Sequence, residues 1–186
     1  MYNISRLSSA ELGPIREEII HVYREAFSLP PYDRKEVDVR GFAHSLARHA
    51  QRKAFRCCIA KEHPGGRVLG FVYGYTSEPG QWWHDTVTRA LDPTTVQHWL
   101  SGAFEFVELA VLPLAQGRGI GGQLHDAILE GLPHRTAVLS TYQTETTALQ
   151  LYRKRGWIPL LQNFFFPSND HPFMIMGLNL RKRSYP

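Results

Sequence analysis

The order of secondary-structure signals predicts an α/β chain built on one mixed sheet with helices on both faces. Three observations carry this. The first half reads as a strand, two amphipathic helices and a β-hairpin. The second half alternates strand and helix, which implies parallel crossovers beside antiparallel hairpins. The chain has 186 residues, 43% of them hydrophobic, enough to bury a sizeable core. At roughly 150 residues per domain, a single domain is expected.

Tyr2 to Leu7 reads as a short strand. Ser8 and Ser9 offer helix caps, and Pro14 suits a first helical turn. Ile15, Ile19, Val22, Tyr23, Ala26 and Phe27 then recur at helical spacing, up to Pro30–Pro31. Val37 to Ala50 is a second amphipathic stretch. Phe55–Ala60 and Val68–Thr76 are β-rich runs around the turn residues His63-Pro64-Gly65-Gly66, which predicts a hairpin. Residues 77–102 are less regular, with short helices expected at 82–91 and 94–100. Phe104–Leu112 is a dense apolar run and so a central strand. A loop over Pro113–Arg118 leads to a helix over Gly119–Glu130. The strand Thr136–Thr141 follows, then a helix over Thr147–Arg155 closed by Gly156. Trp157–Phe166 and Phe173–Leu180 are the last two strands.

Composition excludes several classes. Aromatic residues make up 12% of the chain and net charge is only +4, so disorder is not the main state. No apolar run approaches the roughly 18 residues of a membrane span, and no secretory leader pattern is visible at the N-terminus. Cys57 and Cys58 are adjacent and form no disulfide framework, so a reducing cytoplasm is expected. Of 21 basic residues, 16 are Arg, a residue suited to phosphates and carboxylates. No interleaved basic–aromatic motif points to nucleic acid, and the Arg181-Lys182-Arg183 tail reads as solvated. Among nine histidines, His44 and His49 are five apart, and no HExxH pattern occurs, so no metal is expected.

The most informative segment runs Leu109-Ala-Val-Leu-Pro-Leu-Ala-Gln116-Gly-Arg-Gly-Ile-Gly-Gly-Gln123. A strand enters a glycine-rich turn that opens a helix, exposing backbone N–H groups at the positive end of a helix dipole, a geometry that binds phosphate. A Walker loop would need a lysine that is absent here. Gly117, Gly119 and Gly122 match a dinucleotide GxGxxG literally. The next strand, however, ends without the acidic residue that holds a ribose, and too little chain follows for a second half. The remaining pattern, Q/R-x-x-G-x-G/A, is filled by Gln116, Gly119 and Gly121. About 30 residues later comes Ala148-Leu-Gln-Leu-Tyr152-Arg-Lys-Arg-Gly156-Trp157. The two motifs together resemble the GNAT superfamily of acyl-CoA-dependent N-acyltransferases, specifically over about 105–160.

That resemblance implies the GNAT fold: a central mixed, mostly antiparallel sheet of six to seven strands with helices on both faces. It implies residues 1–186 as one domain with an inserted helical segment at about 77–102. It also implies acetyl transfer from acetyl-CoA, a cosubstrate, to a primary amine of a small molecule or peptide by direct attack, without metal. Pantothenate amides would pair with the backbone of Leu109, Ala110 and Val111 where the central strand splays from its neighbour after Val111. The pyrophosphate would sit on Gln116, Gly117, Arg118, Gly119, Ile120, Gly121 and Gly122. Tyr152 matches the tyrosine that contacts the cofactor and protonates the leaving thiolate. Glu145 stands where the family often has Asn, which puts one cofactor contact in question. The family often pairs, so a homodimer is compatible.

The general base stays open between Glu105 and Glu108. Odd spacing sends them to opposite strand faces unless a bulge intervenes. Glu105 precedes Gln116 by 11 residues, like the base of histone-acetylating relatives; Glu108 is nearer the pantetheine-binding backbone. Tyr32, Tyr75, Trp82 and Trp83 are candidate acceptor-lining residues, with core packing an equal alternative. His84 and Asp85 are minor candidates. Two rival functions remain at this level: a non-catalytic acyl-CoA-binding module, and a basic nucleic-acid binder.

Overall fold

The structure, a computed structural model, describes residues 1–181 apart from Pro64 and Ser168. Pro64 of the hairpin turn and Lys182 and Arg183 of the basic tail therefore lie outside the described residues. The elements follow the predicted order: β1 Tyr2–Leu7, α1 Ser9–Phe27, α2 Glu36–His49, β2 Arg56–Glu62, β3 Val68–Thr76, α3 Trp82–Thr88, α4 Pro93–Trp99 and β4 Phe104–Val111. After a 3-10 turn at Pro113–Ala115 come α5 Ile120–Leu129, β5 Thr136–Tyr142, α6 Thr147–Lys154, β6 Ile158–Phe164 and β7 Phe173–Asn179. The strands form a seven-stranded sheet in the order β1-β2-β3-β4-β5-β7-β6. The registers of β1 with β2, β2 with β3, β5 with β7 and β6 with β7 are antiparallel; that of β4 with β5 is parallel. The chain divides into two compact units, Met1–Tyr75 with Val107–Glu130, and Thr76–Phe106 with the residues from Gly131 on.

In the first unit, local caps decide the helix starts. Ser8 and Glu11 form a capping box, so α1 begins at Ser9, ahead of the Pro14 that the sequence places in its first turn. The apolar faces of α1 and α2 meet through Tyr23 and Phe42, whose rings stack at 3.9 Å, and Phe42 continues onto Phe71 of β3 at 5.8 Å. Ile19, Val22, Leu46 and Phe71 are fully buried around them. All nine residues of β3 are buried, as expected of a central strand covered on both faces. Leu112 donates its N–H to Leu69 at 2.8 Å, which fixes the chain just before the glycine turn.

In the second unit, β7 lies between β5 and β6. Trp83, Val87, Leu100, Ala103, Val138, Phe166 and Ile175 form its core, so α3 and α4 of the 77–102 segment are packed structure. α3 ends at Thr88, short of the expected 91, and Arg89 is its C-cap. β4 pairs in parallel with β5 through Phe104↔Ala137 and Glu105↔Val138. Trp157 stands outside β6 because it belongs to the closing turn of α6. No helix among the described residues is long and apolar enough to cross a membrane.

Candidate active site

The glycine turn is built from the end of β4. Ala115 donates back to the Leu112 carbonyl at 2.8 Å, closing the 3-10 turn. Gln116 is extended, and its side-chain Nε2 donates to the Val111 carbonyl at 3.1 Å. Gly117 and Gly119 both lie in the left-handed region, at φ +75° and +78°, and a Cβ at either would meet no atom within 4 Å. Gly119 is the N-cap of α5, with no side chain capping it. The first helical bond is Gln123 N–H to the Gly119 carbonyl, at 3.1 Å. The N–H groups of Ile120, Gly121 and Gly122 thus precede the first intrahelical donor, as at any helix start. Ile120 anchors the turn with a buried side chain. Arg118 is exposed, its guanidinium 5.8 Å over the Tyr2 ring, while the Tyr2 hydroxyl donates to the Arg118 carbonyl at 3.3 Å and accepts from Gln123 at 2.7 Å. The turn is therefore tethered to β1. Space, open backbone donors and a nearby guanidinium fit a diphosphate.

Ahead of the turn on β4, Leu109 and Val111 are half-buried and Ala110 is buried. Glu108 is half-buried as a residue, yet its carboxyl is closely enough surrounded that desolvation pushes it up to about 8, with the Arg34 guanidinium pulling the other way. Arg34 sits between α1 and α2, held by its N–H to the Phe27 carbonyl at 2.8 Å. In the same connection, Tyr32 sets its ring edge-on to Phe27 at 4.8 Å. Tyr75 is buried, with His49 against its ring at 4.9 Å and the Arg52 guanidinium over it at 4.5 Å.

In the second unit, Glu105 is buried and belongs to a polar chain. Ser77 Oγ donates to Glu105 Oε2 at 3.2 Å, and His84 Nδ1 lies 3.1 Å from the same hydroxyl. Sequence reasoning did not flag Ser77, and gave His84 no partner on β4. Their separations from Glu105 are set by tertiary packing, so no local pattern marks them. Phe106, next on the strand, turns to the other face and meets Tyr152 edge-on at 5.8 Å.

Tyr152 is buried on α6. Thr146 Oγ1 caps that helix by accepting from Leu149 N–H at 3.1 Å. Its other end closes through Gly156 at φ +82°. Glu145 is paired with Arg153, both about half exposed, rather than turned into the fold.

The two tryptophans separate. Trp83 is a core residue whose indole N–H donates to Ser140 Oγ at 3.2 Å. Trp82 is 60% exposed, stacks on Phe166 at 5.4 Å and lines an open cleft of about 470 Å³ with Asp85, Arg89, Phe164 and Phe165. Cys57 and Cys58 are buried free thiols, and burial pushes both up, so they stay protonated.

Comparison with known proteins gives the family. A family model described as an acetyltransferase (GNAT) domain matches residues 53–159, a stretch that contains both the glycine turn and the Tyr152 motif. The chain belongs to the GNAT acetyltransferase family. A GCN5-like protein acetyltransferase, Rv2170 of Mycobacterium tuberculosis, is 33% identical to this GNAT chain over 129 residues, 65% of this chain and 63% of the relative. The match thus spans less than two thirds of that relative's length. Among solved structures, a GNAT-family protein of Desulfovibrio desulfuricans superposes with a TM-score of 0.66 at 14% identity, covering 97% of this chain and 99% of its own. YncA of Salmonella typhimurium, solved with its cofactor acetyl-CoA, gives 0.60 at 17% identity, covering 100% of this chain and 98% of its own. At these identities the likeness establishes the GNAT fold.

Proposed function

We propose that this chain is one N-acetyltransferase domain that moves an acetyl group from acetyl-CoA to a primary amine by direct attack in a ternary complex. The observation that carries the reading is the open glycine turn. Two left-handed glycines with clear space beside them present the start of α5 to an anion, and the turn lies in a GNAT chain. The YncA structure holds acetyl-CoA, which supports that cosubstrate. In this reading the diphosphate rests on residues 116–122, and the pantetheine amides pair with the strand backbone at Leu109–Val111.

Attack needs a neutral amine, a fixed thioester and a proton for the leaving sulfur. Glu105 takes the amine proton, directly or through one water. The nitrogen–carbon bond forms, the carbon–sulfur bond breaks, and Tyr152 gives its phenolic proton to the thiolate. β4 organises both groups: it carries Glu105 on one face and, through Phe106, braces Tyr152 on the other. Glu108 is the alternative base, but a carboxyl held up to about 8 is mostly protonated at neutral pH. The protonated, buried Cys57 and Cys58 support a route without a cysteine intermediate.

The acceptor belongs to the class of primary amines. The name of the Mycobacterium relative, a protein acetyltransferase, favours a peptide or protein amine over a small metabolite, with Tyr32 and the exposed Trp82 as acceptor-facing aromatics. The test is release of free thiol from acetyl-CoA against a panel of peptides with free α- or ε-amines and of small polyamines. Turnover that depends on the amine supports the enzyme. Saturable acetyl-CoA binding with no turnover on any amine makes the chain a binding module instead.

A further inference from the structure

The glycine turn is held by a residue 116 positions away in sequence. Tyr2, at the start of β1, is half-buried. The antiparallel pairing of β1 with β2, from Tyr2↔Glu62 to Leu7↔Cys57, fixes its place. Its hydroxyl stands between two residues of the turn, 3.3 Å from the Arg118 carbonyl and 2.7 Å from Gln123 Nε2. Arg118 and Gln123 flank the N–H groups of Gly119, Ile120, Gly121 and Gly122. The Arg118 guanidinium lies over the same tyrosine ring, 5.8 Å from its centre.

Counting donors fixes the phenolic proton. A carbonyl only accepts, so the proton goes to Arg118, and the hydroxyl accepts from the Gln123 amide. The peptide between Arg118 and Gly119 is trans, and a trans peptide points its carbonyl and its N–H in opposite directions. With the carbonyl held to Tyr2, the Gly119 N–H faces away from Tyr2. The turn needs such a hold. Gly117 and Gly119, at φ +75° and +78° with clear space beside them, permit this backbone but do not select it, because glycine takes either sign of φ about equally. The bond from Tyr2 selects one orientation of the peptide.

We propose that Tyr2 is a positioning residue of the cofactor site: its hydroxyl locks the Arg118–Gly119 peptide so that the Gly119 N–H joins those of Ile120, Gly121 and Gly122 in facing the diphosphate of coenzyme A. The proposal rests on the reading of this turn as the seat of that diphosphate. It gives β1 a part in cofactor affinity, exerted through the backbone of the turn. Gln123 aims the hydroxyl, and the glycines supply the freedom that the hydroxyl then removes.

Calorimetric titration with coenzyme A compares the unmodified protein with Tyr2→Phe, which keeps the ring beside Arg118 and removes only the hydroxyl. Affinity falls roughly three- to tenfold, the range of one hydrogen bond. Nitrogen–proton NMR adds a signature that a merely structural role does not move. At saturating coenzyme A the Gly119 amide proton shifts downfield in the unmodified protein and stays near its free position in Tyr2→Phe. Gln123→Met weakens binding by itself and adds nothing in a Tyr2→Phe background, because the amide acts through the hydroxyl. No heat with the unmodified protein sinks the reading of the turn. Saturable binding that Tyr2→Phe leaves unchanged sinks this proposal alone. Equal downfield shifts of Gly119 in both proteins, or losses from Gln123→Met that add fully to those of Tyr2→Phe, overturn it as well. Where Gln123→Met does not fold, the affinity and the Gly119 signal of Tyr2→Phe decide the matter.

Discussion

Trp157 donates its backbone N–H to the Tyr152 carbonyl at 3.1 Å, and their rings lie 5.8 Å apart. Gly156 makes this possible by turning at φ +82°. This is a Schellman closure with its usual apolar contact across the turn, and it gives a physical meaning to the spacing Tyr-x-x-x-Gly-Trp. The motif fixes the end of α6 and with it the tyrosine. Gly156→Ala should cost about 1 kcal/mol, since a Cβ is disfavoured at positive φ, read as a lower midpoint in thermal melts. Tyr152→Phe keeps the ring against Phe106 and Trp157, so it should melt close to the parent protein while kcat falls at least roughly tenfold.

Glu108 carries a pH signature of its own. Glu108 folds with its carboxyl near 8 against an ordinary 4.5. A raised value means its contribution to stability is complete below pH 4.5 and is lost as pH climbs through about 8. Glu108→Gln should therefore raise the melting midpoint at pH 9 and leave it nearly unchanged at pH 4. With Glu105 as the base, Glu108→Gln retains most of kcat and Glu105→Gln does not. A rate limb near pH 8 that disappears in Glu108→Gln would transfer the role to Glu108.

His49 supplies the opposite dependence. Burial, reinforced by Arg52 and Arg48, lowers it from 6.5 to about 4, and its Nδ1 is 3.1 Å from the Tyr73 hydroxyl. A depressed value means stability that is present above pH 6.5 and lost as pH falls toward 4, worth up to about 3 kcal/mol. Urea unfolding of the parent protein and His49→Gln at pH 7 and pH 4.5 should show the gap between them shrinking, or reversing, at the lower pH.

Much of this architecture is legible in the chain because its signals are local. The Ser8–Glu11 capping box, the glycines at 117, 119 and 156, and the apolar runs of β3 and β4 each act within a few residues. The rest depends on tertiary packing. Trp82 and Trp83 are indistinguishable as neighbours in sequence, yet a helix sets successive side chains about 100° apart, so one is exposed and the other is core. Glu105, Ser77 and His84 come together from separate elements, and no spacing rule anticipates that. Glu145 departs from the family pattern, and its partner Arg153 is a contact that the motif does not announce.

The most direct measurement is calorimetric titration of the protein with acetyl-CoA, unmodified and as Gly119→Val. An anion gripped by the start of α5 predicts a saturable one-to-one isotherm for the parent protein and affinity at least roughly tenfold weaker for the variant, because a branched side chain at φ +78° both strains the turn and fills the space beside it. No heat with the unmodified protein, or identical isotherms for both, would contradict it.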